Sequence, residues 1–224
     1  MKEKSLLLLG ATGLVGGECL ECLRNTDDYT EVTILTRTLL PDGNIPAGMR
    51  QYAIDFDRID QYRELIRADD VICALGSTRS KAGSRDNFHR IDFGYPYRLA
   101  ETAFENGARR FFLVSALGAN SRSFFFYNRV KGELEDAIGR LGYRSVEIFR
   151  PSLLLGRRRE FRPGEVLLKA IFTRLAFILP GKYRPVPAKA VAAAICQTTR
   201  DDFSGMRVFE SDMIRSLAGQ FCTS

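Results

Sequence analysis

Tyr127 and Lys131, four residues apart, form the pair in this sequence best suited to proton transfer. Both lie in a segment that predicts a helix, where positions i and i+4 share one face. An ammonium group beside a phenol favours the phenolate, which would make Tyr127 a general acid or base. Ser115 ends a predicted strand shortly before and would hydrogen-bond a carbonyl oxygen. The alternative is that the pair is simply an aromatic and a long-chain residue on a half-buried helix.

Three glycines, Gly10, Gly13 and Gly16, give the segment GATGLVG a GxxGxxG spacing. The segment directly follows a run of leucines, 5–9, that predicts a buried strand, and it opens a predicted helix over 14–24. Glycines let backbone N–H groups approach a pyrophosphate closely, and the helix N-terminus adds a favourable dipole. In this strand–loop–helix setting the segment predicts a dinucleotide site rather than only a structural turn.

The end of the second predicted strand, 31–35, bears on which dinucleotide would fit. NAD-binding proteins usually place an acid here to hold the ribose 2′-hydroxyl, whereas this chain continues with Thr36 and Arg37. A guanidinium at this position would meet a 2′-phosphate and grip it bidentately. We therefore expect NADP(H), the alternative being that Arg37 is a solvated arginine.

Two further strand ends carry residues suited to border a dinucleotide. Asp55 and Phe56 follow the third predicted strand, 50–54, where a side chain would lie at the edge of an adenine. Ala74, Leu75 and Gly76 close the fourth, 70–75, where small residues let a dinucleotide pass. Open α/β sheets bind ligands at the carboxyl ends of their strands.

The order of elements predicts the α/β class, with a Rossmann-like doubly wound parallel sheet and helices on both faces. Further predicted elements are helices over 59–67, 86–106 (bent or restarted around Pro96), 124–140, 165–177 and 188–197, and strands over 109–115, 145–149 and 206–209. We predict a single domain over 1–224, in which residues 151–224 form a small substrate-side lobe.

Composition excludes several classes of protein. The chain has 224 residues, 45% hydrophobic and 27% charged, with a formal charge of +6, as in an ordinary globular protein. Five cysteines are an odd and sparse set that suits a reducing compartment, and we expect a cytoplasmic protein. Cys19 and Cys22 form a CxxC without a second pair, and His89 is the single histidine, so no metal site is predicted. No apolar stretch is long enough for a membrane span, and the aromatics do not alternate with basic residues as in a nucleic-acid platform.

Three longer segments of the sequence indicate a particular family of proteins: CALGSTRSKAG (73–83), VSALGANSRSFFFYNRVKGELE (114–135) and FRPSLLLGRRREFRPGE (149–165). With the glycine loop, Ser115 and the Tyr127–Lys131 pair, they resemble the short-chain dehydrogenase/reductase superfamily. Within it they resemble the atypical, NADPH-binding branch that includes the Tat-interacting protein. The resemblance runs from the first strand to about residue 190.

The resemblance implies a Rossmann fold with NADPH bound across the sheet. Lys131 would hold the nicotinamide ribose and assist Tyr127. The implied cofactor residues are Gly10, Thr12, Gly13, Leu14, Val15 and Gly16 at the pyrophosphate, Arg37 at the 2′-phosphate, Asp55 and Phe56 at the adenine, Ala74, Leu75 and Gly76 at the ribose, and Arg150, Pro151, Ser152 and Leu153 at the nicotinamide. The chain departs from the pattern at Asp92, where many relatives carry an asparagine of the proton relay.

We expect an NADPH-dependent oxidoreductase that acts on an unidentified small-molecule carbonyl or alcohol. Tyr127 would give or take the proton, Lys131 would tune it, and Ser115 would orient the oxygen. The alternative is a non-catalytic NADPH sensor that engages a protein partner, which would explain Asp92 and the basic loop 157–159. An epimerase would need more chain after the sixth strand than this sequence has. Monomer and homodimer both stay open.

Other residues with reactive or apolar side chains receive structural interpretations. His89 lacks the acid and nucleophile spacing of a hydrolase triad, which favours a helix-surface or hydrogen-bonded role. Residues 123–126, Ser-Phe-Phe-Phe, predict a helix start capped by Ser123 with a packed aromatic face, or else a partner or membrane patch. The loop 157–159 is a solvated segment or a site for an acidic or phosphate-bearing partner, and residues 167–179 pack on the core or form a dimer face.

Overall fold

The computed structural model describes residues 4–24, 26–41, 45–46, 48–156 and 180–221. The predicted helix over 165–177 and the arginines at 157–159 lie outside the described residues. The strands are β1 (Ser5–Leu9), β2 (Glu31–Thr36), β3 (Met49–Ala53), β4 (Asp70–Cys73), β5 (Arg110–Val114), β6 (Ser145–Arg150), β7 (Leu154–Leu155), β8 (Val186–Pro187) and β9 (Gly205–Glu210). The α-helices are α1 (Leu14–Arg24), α2 (Arg79–Ala82), α3 (Arg85–His89), α4 (Tyr95–Glu105), α5 (Phe126–Gly139), α6 (Ala188–Thr199) and α7 (Ser211–Phe221).

Within the described residues, seven strands form one sheet in the order β3-β2-β1-β4-β5-β6-β9, and each neighbouring pair is parallel. The predicted Rossmann-like sheet is therefore confirmed. The chain runs outward from β1 to β3 and then returns to place β4 on the other side of β1. The carboxyl ends of β1 and β4 consequently flank the point where the strand order reverses, which is where open α/β sheets bind ligands.

Two apolar layers enclose the sheet, and the leucines of β1 belong to both. Leu6 and Leu8 pack with residues of α1, α6 and α7, whereas Leu7 and Leu9 pack with residues of α4 and α5. Because alternate strand residues point to opposite faces, a strand covered on both sides must be apolar throughout. The leucine run therefore reflects burial on both faces.

The segment between β4 and β5 is helical but irregular. A π-helical turn, Arg90–Gly94, joins α3 to α4, so the predicted bend comes just before Pro96. Pro96 itself lies in the first turn of α4, where its missing N–H has no intrahelical partner to lose. The π turn matters for the site because π-bulges shift which side chains face inward, and Asp92 within it is fully buried.

Other boundaries differ from the prediction in small ways. The helix predicted over 59–67 is a 3₁₀ helix, Phe56–Leu65, kinked at Arg58 and Tyr62. Helix α5 begins at Phe126, and its cap residue is Phe125 without a side-chain cap. The predicted cap Ser123 instead accepts a hydrogen bond from the Phe125 backbone N–H at 3.2 Å.

The C-terminal residues are built into the main sheet. β9 pairs with β6 over six residues, and α6 and α7 contribute to the apolar layer that contains α1. β7 and β8 form a separate two-stranded pairing. The substrate-side role that the sequence assigns to residues 151–224 stays a prediction.

Buried ionic groups lie at the amino ends of the strands, opposite the carboxyl ends that bear the glycine loop. At the start of β4, the Asp70 carboxylate pairs with the Arg110 guanidinium, and both side chains are buried. Tyr29 donates a hydrogen bond to Asp70 at 2.7 Å. Arg110 also donates to the Thr199 carbonyl at 2.9 Å. The hydrogen bonds offset the cost of burying both charges.

Candidate functional site

A tight turn between β1 and α1 begins at Gly10, whose φ of +88° lies in the left-handed region. A Cβ there would also lie 2.7 Å from the carbonyl of Ala74 at the end of β4. Glycine is therefore required twice over, for the backbone angle and for the close approach of the two strand ends. The Gly13 N–H donates to the Gly10 carbonyl at 2.9 Å and closes the turn.

The remaining predicted residues of this loop divide between the groove and the core. Thr12 and Gly13 line the groove above the strand ends, and a Cβ on Gly13 would approach the Gly10 oxygen closely, at 3.2 Å. A Cβ on Gly16 would lie 2.1 Å from the same oxygen, so this glycine permits α1 to pack on the loop. Val15 is buried in the core and Leu14 packs against it. These two residues face the interior with their side chains and do not line the groove.

The groove consists of two adjoining cavities at the carboxyl ends of β1 to β4. The larger, of about 530 Å³, is lined by Arg37, Ala53, Ile54, Asp55, Phe56, Asp57, Asn87, Arg90, Ile91 and Tyr95. The smaller, of about 80 Å³, is lined by Gly10, Thr12, Gly13, Leu35, Thr36, Arg37, Phe56, Ala74, Leu75, Gly76, Ile91 and Tyr95. Shared lining residues make them one continuous trough. The structure thus brings together the glycine turn, Arg37 and the ends of β3 and β4, as the sequence predicts.

Among the lining residues that received no role from the sequence, four lie in helical turns: Asn87, Arg90, Ile91 and Tyr95. They come from α3, the π turn and the start of α4. Tyr95 lies with its ring centroid 5.6 Å from that of Phe56, and its hydroxyl donates to Asp57 at 2.6 Å. No sequence signal marked them because a helical segment gives no sign of which residues will reach across to another strand.

Arg37 and Thr36, at the end of β2, differ in solvent exposure. Arg37 is exposed and borders both cavities. Thr36 is buried, and its hydroxyl has no hydrogen-bond partner among the described residues. A buried polar group without a partner costs free energy, and this hydroxyl belongs to a residue that lines the smaller cavity.

Lys131 lies behind Gly76, at the end of the groove nearest β4. A Cβ on Gly76 would be 3.3 Å from both the Lys131 Nζ and the Asp92 Oδ1. The Lys131 ammonium forms an ion pair with Asp92 at 2.8 Å, and both side chains are buried. Burial alone would lower the pKa of Lys131, but the Asp92 carboxylate, together with Tyr127 and Cys73, more than offsets this, so its pKa lies above the usual value.

Tyr127 occupies the first turn of α5, one turn before Lys131 on the same helix. Its side chain is 37% exposed, so its ring remains accessible from outside. One face of the ring packs against Phe88, with centroids 5.6 Å apart. The predicted tyrosine–lysine pair therefore has a buried lysine and an accessible phenol. Proton exchange with a bound substrate would need the phenol to be accessible in this way.

Ser115 is held differently from the role the sequence assigned to it. Its hydroxyl donates to the carboxylate of Glu135, which is buried on α5. Arg150 at the end of β6 also donates to Glu135, from Nε at 3.0 Å. A carboxylate can only accept, so Ser115 would have to release Glu135 before donating to a carbonyl oxygen. The assignment of Ser115 to an oxygen-orienting role stays a prediction.

The residues after β6 connect three parts of the chain. Pro151 accepts a hydrogen bond from the Leu117 N–H at 3.0 Å. The Ser152 backbone N–H donates to the Ser211 hydroxyl oxygen at 2.9 Å, and the Ser152 hydroxyl donates to the Arg184 carbonyl at 2.6 Å. Leu153 is 39% exposed. None of these four residues, Arg150 to Leu153, lines the two cavities, and their nicotinamide role stays a prediction.

His89 is on the surface of α3, as the sequence indicates. Its ring lies 4.8 Å from that of Phe93, and its Nε2 is 3.6 Å from a Glu133 oxygen. Among the described residues, no group of histidine, cysteine or acidic side chains is arranged to hold a metal ion. Within the same residues, no helix is long and apolar enough to cross a membrane.

Comparison with known proteins gives the same class as the fold and the groove. The NAD dependent epimerase/dehydratase family matches residues 6–122, more than half of the chain. Protein HTATIP2 of Rattus norvegicus is 34% identical over 220 residues, covering 97% of this chain and 90% of that protein. The chain therefore belongs to the NAD dependent epimerase/dehydratase family. The resemblance to the Tat-interacting branch of the short-chain dehydrogenase/reductases is confirmed.

Other relatives agree with this assignment. Protein FMP52, mitochondrial, of Candida albicans is 38% identical over 161 residues, which are 70% of this chain and 69% of that protein. Among solved structures, MoeE5 in complex with UDP-glucuronic acid and NAD superposes with a TM-score of 0.70 at 16% identity, covering 98% of this chain and 82% of that one. The Bordetella bronchiseptica enzyme WbmH in complex with NAD+ gives 0.69 at 17%, covering 96% and 79%. At these identities the structural matches show the fold alone.

Proposed function

We propose that this protein is an NADPH-dependent oxidoreductase that transfers hydride between the nicotinamide and a carbonyl or alcohol carbon. The observation that carries the proposal is the groove that runs from Arg37, over the glycine turn, to Gly76, with the Lys131 ammonium directly behind Gly76. The complexes of MoeE5 and WbmH with NAD support a nicotinamide dinucleotide as the ligand of this groove.

The residues along the groove fit such a cofactor. Gly13 leaves room for a diphosphate beside the N-terminus of α1, where free N–H groups and the helix dipole favour an anion. Phe56 and Tyr95 supply aromatic surface in the larger cavity for the adenine. The unpartnered Thr36 hydroxyl and the Arg37 guanidinium supply donors at the end of β2.

The bound dinucleotide supplies the hydride, and the protein supplies the proton and the geometry. Lys131, buried and paired with Asp92, would hold the nicotinamide ribose. Tyr127, accessible at the start of α5, would exchange the proton with the substrate oxygen. The contact with Phe88, whose ring centroid lies 5.6 Å from that of Tyr127, would help to position the phenol.

NADP rather than NAD is proposed from the residues at the end of β2. The glutamate or aspartate that would hold a ribose 2′-hydroxyl is missing there, and Arg37 occupies the rim of both cavities. A guanidinium can donate two parallel hydrogen bonds to a phosphate. An acid at this position would repel the same phosphate.

We expect Arg37→Gln to weaken NADPH binding by about ten- to a hundredfold, because a charge-assisted contact contributes about 1.5–3 kcal/mol. NADH binding should change less than threefold. Calorimetric titration of both cofactors measures the effect. Arg50→Gln is the matched control, because Arg50 is an exposed arginine of β3 that pairs with Glu31 and lines neither cavity. Tighter binding of NADH than NADPH by the unaltered protein would contradict the NADP assignment.

A second candidate function is a sensor that binds NADPH and engages a protein partner without turnover. The engagement of the Ser115 hydroxyl with Glu135 favours it, because that hydroxyl is then withheld from a substrate. Incubation with NADPH and a panel of carbonyl compounds separates the two candidates. Loss of nicotinamide absorbance with any member of the panel supports the enzyme, whereas binding without oxidation supports the sensor. A cytoplasmic location and a monomeric or homodimeric state stay predictions.

A further inference from the structure

The buried acid Asp92 connects the floor of the groove to the proton-transfer helix. One carboxylate oxygen, Oδ2, accepts a hydrogen bond from the Ser77 backbone N–H at 2.8 Å, directly after Gly76. The other oxygen, Oδ1, forms the 2.8 Å ion pair with Lys131. Oδ1 has no hydrogen bond from any other described residue. The two oxygens of Asp92 thus contact the backbone that follows β4, at Ser77, and the side chain of Lys131 on α5.

The position of Asp92 depends on the π-helical turn. Asp92 is the only residue of that turn, Arg90–Gly94, that is buried. It has no exposed surface, so water cannot replace either partner. An unpaired carboxylate in such surroundings would cost several kcal/mol. The buried ammonium of Lys131 and the buried carboxylate of Asp92 therefore stabilise each other.

The groups that face Lys131 come from three elements. Asp92 lies on the π turn, Tyr127 on α5 itself, and Cys73 at the end of β4. Burial raises the pKa of Cys73 to about 11, with Asp92 contributing in the same direction, so this thiol is neutral at physiological pH. Asp92 is consequently the anion that balances Lys131 there.

We propose that Asp92 is a positioning residue whose carboxylate keeps Lys131 cationic and fixes its Nζ behind Gly76. Asp92 thereby links the end of β4, which would border the cofactor, to α5, which carries Tyr127. This inference rests on the proposed function, because Lys131 matters only if a dinucleotide occupies the groove. Asparagine at position 92 would preserve the acceptor for Ser77 but would leave Lys131 without a counter-ion.

The first test follows the charge of Lys131 without any ligand. The chain has seven lysines, so protein labelled with ¹³C at lysine Cε gives few signals, and Lys131→Met assigns the one required. In the unaltered protein we expect Lys131 to stay charged beyond the ordinary lysine pKa of about 10.4. In Asp92→Asn its titration should move down by about one to three pH units. Asp70→Asn removes the acid of another buried ion pair, at the opposite edge of the sheet, and should leave the Lys131 signal unmoved.

The second test separates a positioning role from a merely structural one. We expect NADPH affinity in Asp92→Asn to match the unaltered protein near pH 7 and to fall about tenfold over the pH range in which Lys131 loses its proton. Asp92→Glu, which retains a carboxylate, should restore part of the affinity at high pH. A ratio of affinities between Asp92→Asn and the unaltered protein that stays constant with pH would overturn the proposal.

The outcomes distinguish this inference from the proposed function. Failure of the unaltered protein to bind NADPH at any pH would remove the proposed function, and with it the positioning role, whatever the lysine titration shows. NADPH binding together with a Lys131 signal that titrates alike in both proteins would overturn the inference alone. If Asp92→Asn does not fold, a Lys131 that titrates below pH 10 in the unaltered protein would likewise contradict it.

Discussion

At the scale of single residues, the site consists of an accessible phenol and a buried cation supplied by one helix. The spacing of Tyr127 and Lys131 was sufficient to predict that they share a face. Their different exposure was not predictable, because it depends on Asp92 and Phe88, which come from another part of the chain. The electrostatic environment of Lys131 is therefore a property of the fold rather than of the tyrosine–lysine spacing.

Replacing Tyr127 by phenylalanine tests the proton donor directly. We expect Tyr127→Phe to lower turnover of any substrate found in the carbonyl panel by about 10²–10⁴-fold, which is the usual contribution of a general acid or base. NADPH affinity should remain nearly unchanged, because the ring and its contact with Phe88 are preserved. Steady-state kinetics and calorimetry measure the two quantities.

The matched control for that variant is Tyr183→Phe, which alters an exposed tyrosine outside both cavities. It should leave both turnover and affinity unchanged. Full turnover by Tyr127→Phe would exclude the phenol from the reaction.

The hydrogen-bond partner of Ser115 could not be predicted from its residue type. A serine at the end of a strand beside a tyrosine–lysine pair predicts a hydrogen bond to substrate. In the structure the Ser115 hydroxyl instead donates a hydrogen bond to Glu135, which lies on α5 eight residues after Tyr127. The spacing of Tyr127, Lys131 and Glu135 places all three on related faces of the helix. Glu135 was thus detectable as a neighbour from the sequence, but its pairing with Arg150 was not.

At the scale of elements, the strands and the first helix were predictable because their patterns are local. The leucines of β1 and the glycines after them require no distant information, and the predicted bounds of β1 and α1 match those observed. The π turn and the 3₁₀ helix were not predictable, because tertiary packing overrides helical propensity there. The cavity residues Asn87, Arg90, Ile91 and Tyr95 were missed for that reason.

The two adjacent glycines of α1 provide a matched test of how the loop and helix pack. A Cβ at Gly16 would lie 2.1 Å from the Gly10 oxygen, whereas one at Gly17 would meet only the Ala11 oxygen at 3.5 Å. We expect Gly16→Ala to lower the free energy of unfolding by about 1–3 kcal/mol through overpacking and to abolish NADPH binding by moving the turn.

Gly17→Ala should behave differently, since alanine favours a helix over glycine by about 1 kcal/mol and its Cβ has ordinary contacts. Urea denaturation and calorimetry measure both variants. Equal stability and equal affinity in Gly16→Ala and the unaltered protein would refute the close packing of α1 on the turn.

At the scale of the whole molecule, the strand order brings the glycine turn, Arg37 and the ends of β3 and β4 together at the carboxyl ends of the strands. β1 and β4 are neighbours although about sixty residues separate them in the sequence, and this crossover brings Gly10 beside Ala74. The alternation of strands and helices predicted that arrangement correctly. What it did not predict is that β9 extends the same sheet beside β6, so that the C-terminal residues also brace the strand that ends at Arg150.

The most direct measurement is a crystal structure of the protein grown with NADPH. We expect the diphosphate beside the N-terminus of α1, which directly follows Gly13, the 2′-phosphate within hydrogen-bond distance of Arg37, and the nicotinamide ribose beside Lys131. Density for the dinucleotide elsewhere on the molecule, or a bound dinucleotide whose 2′-phosphate points away from Arg37, would contradict it.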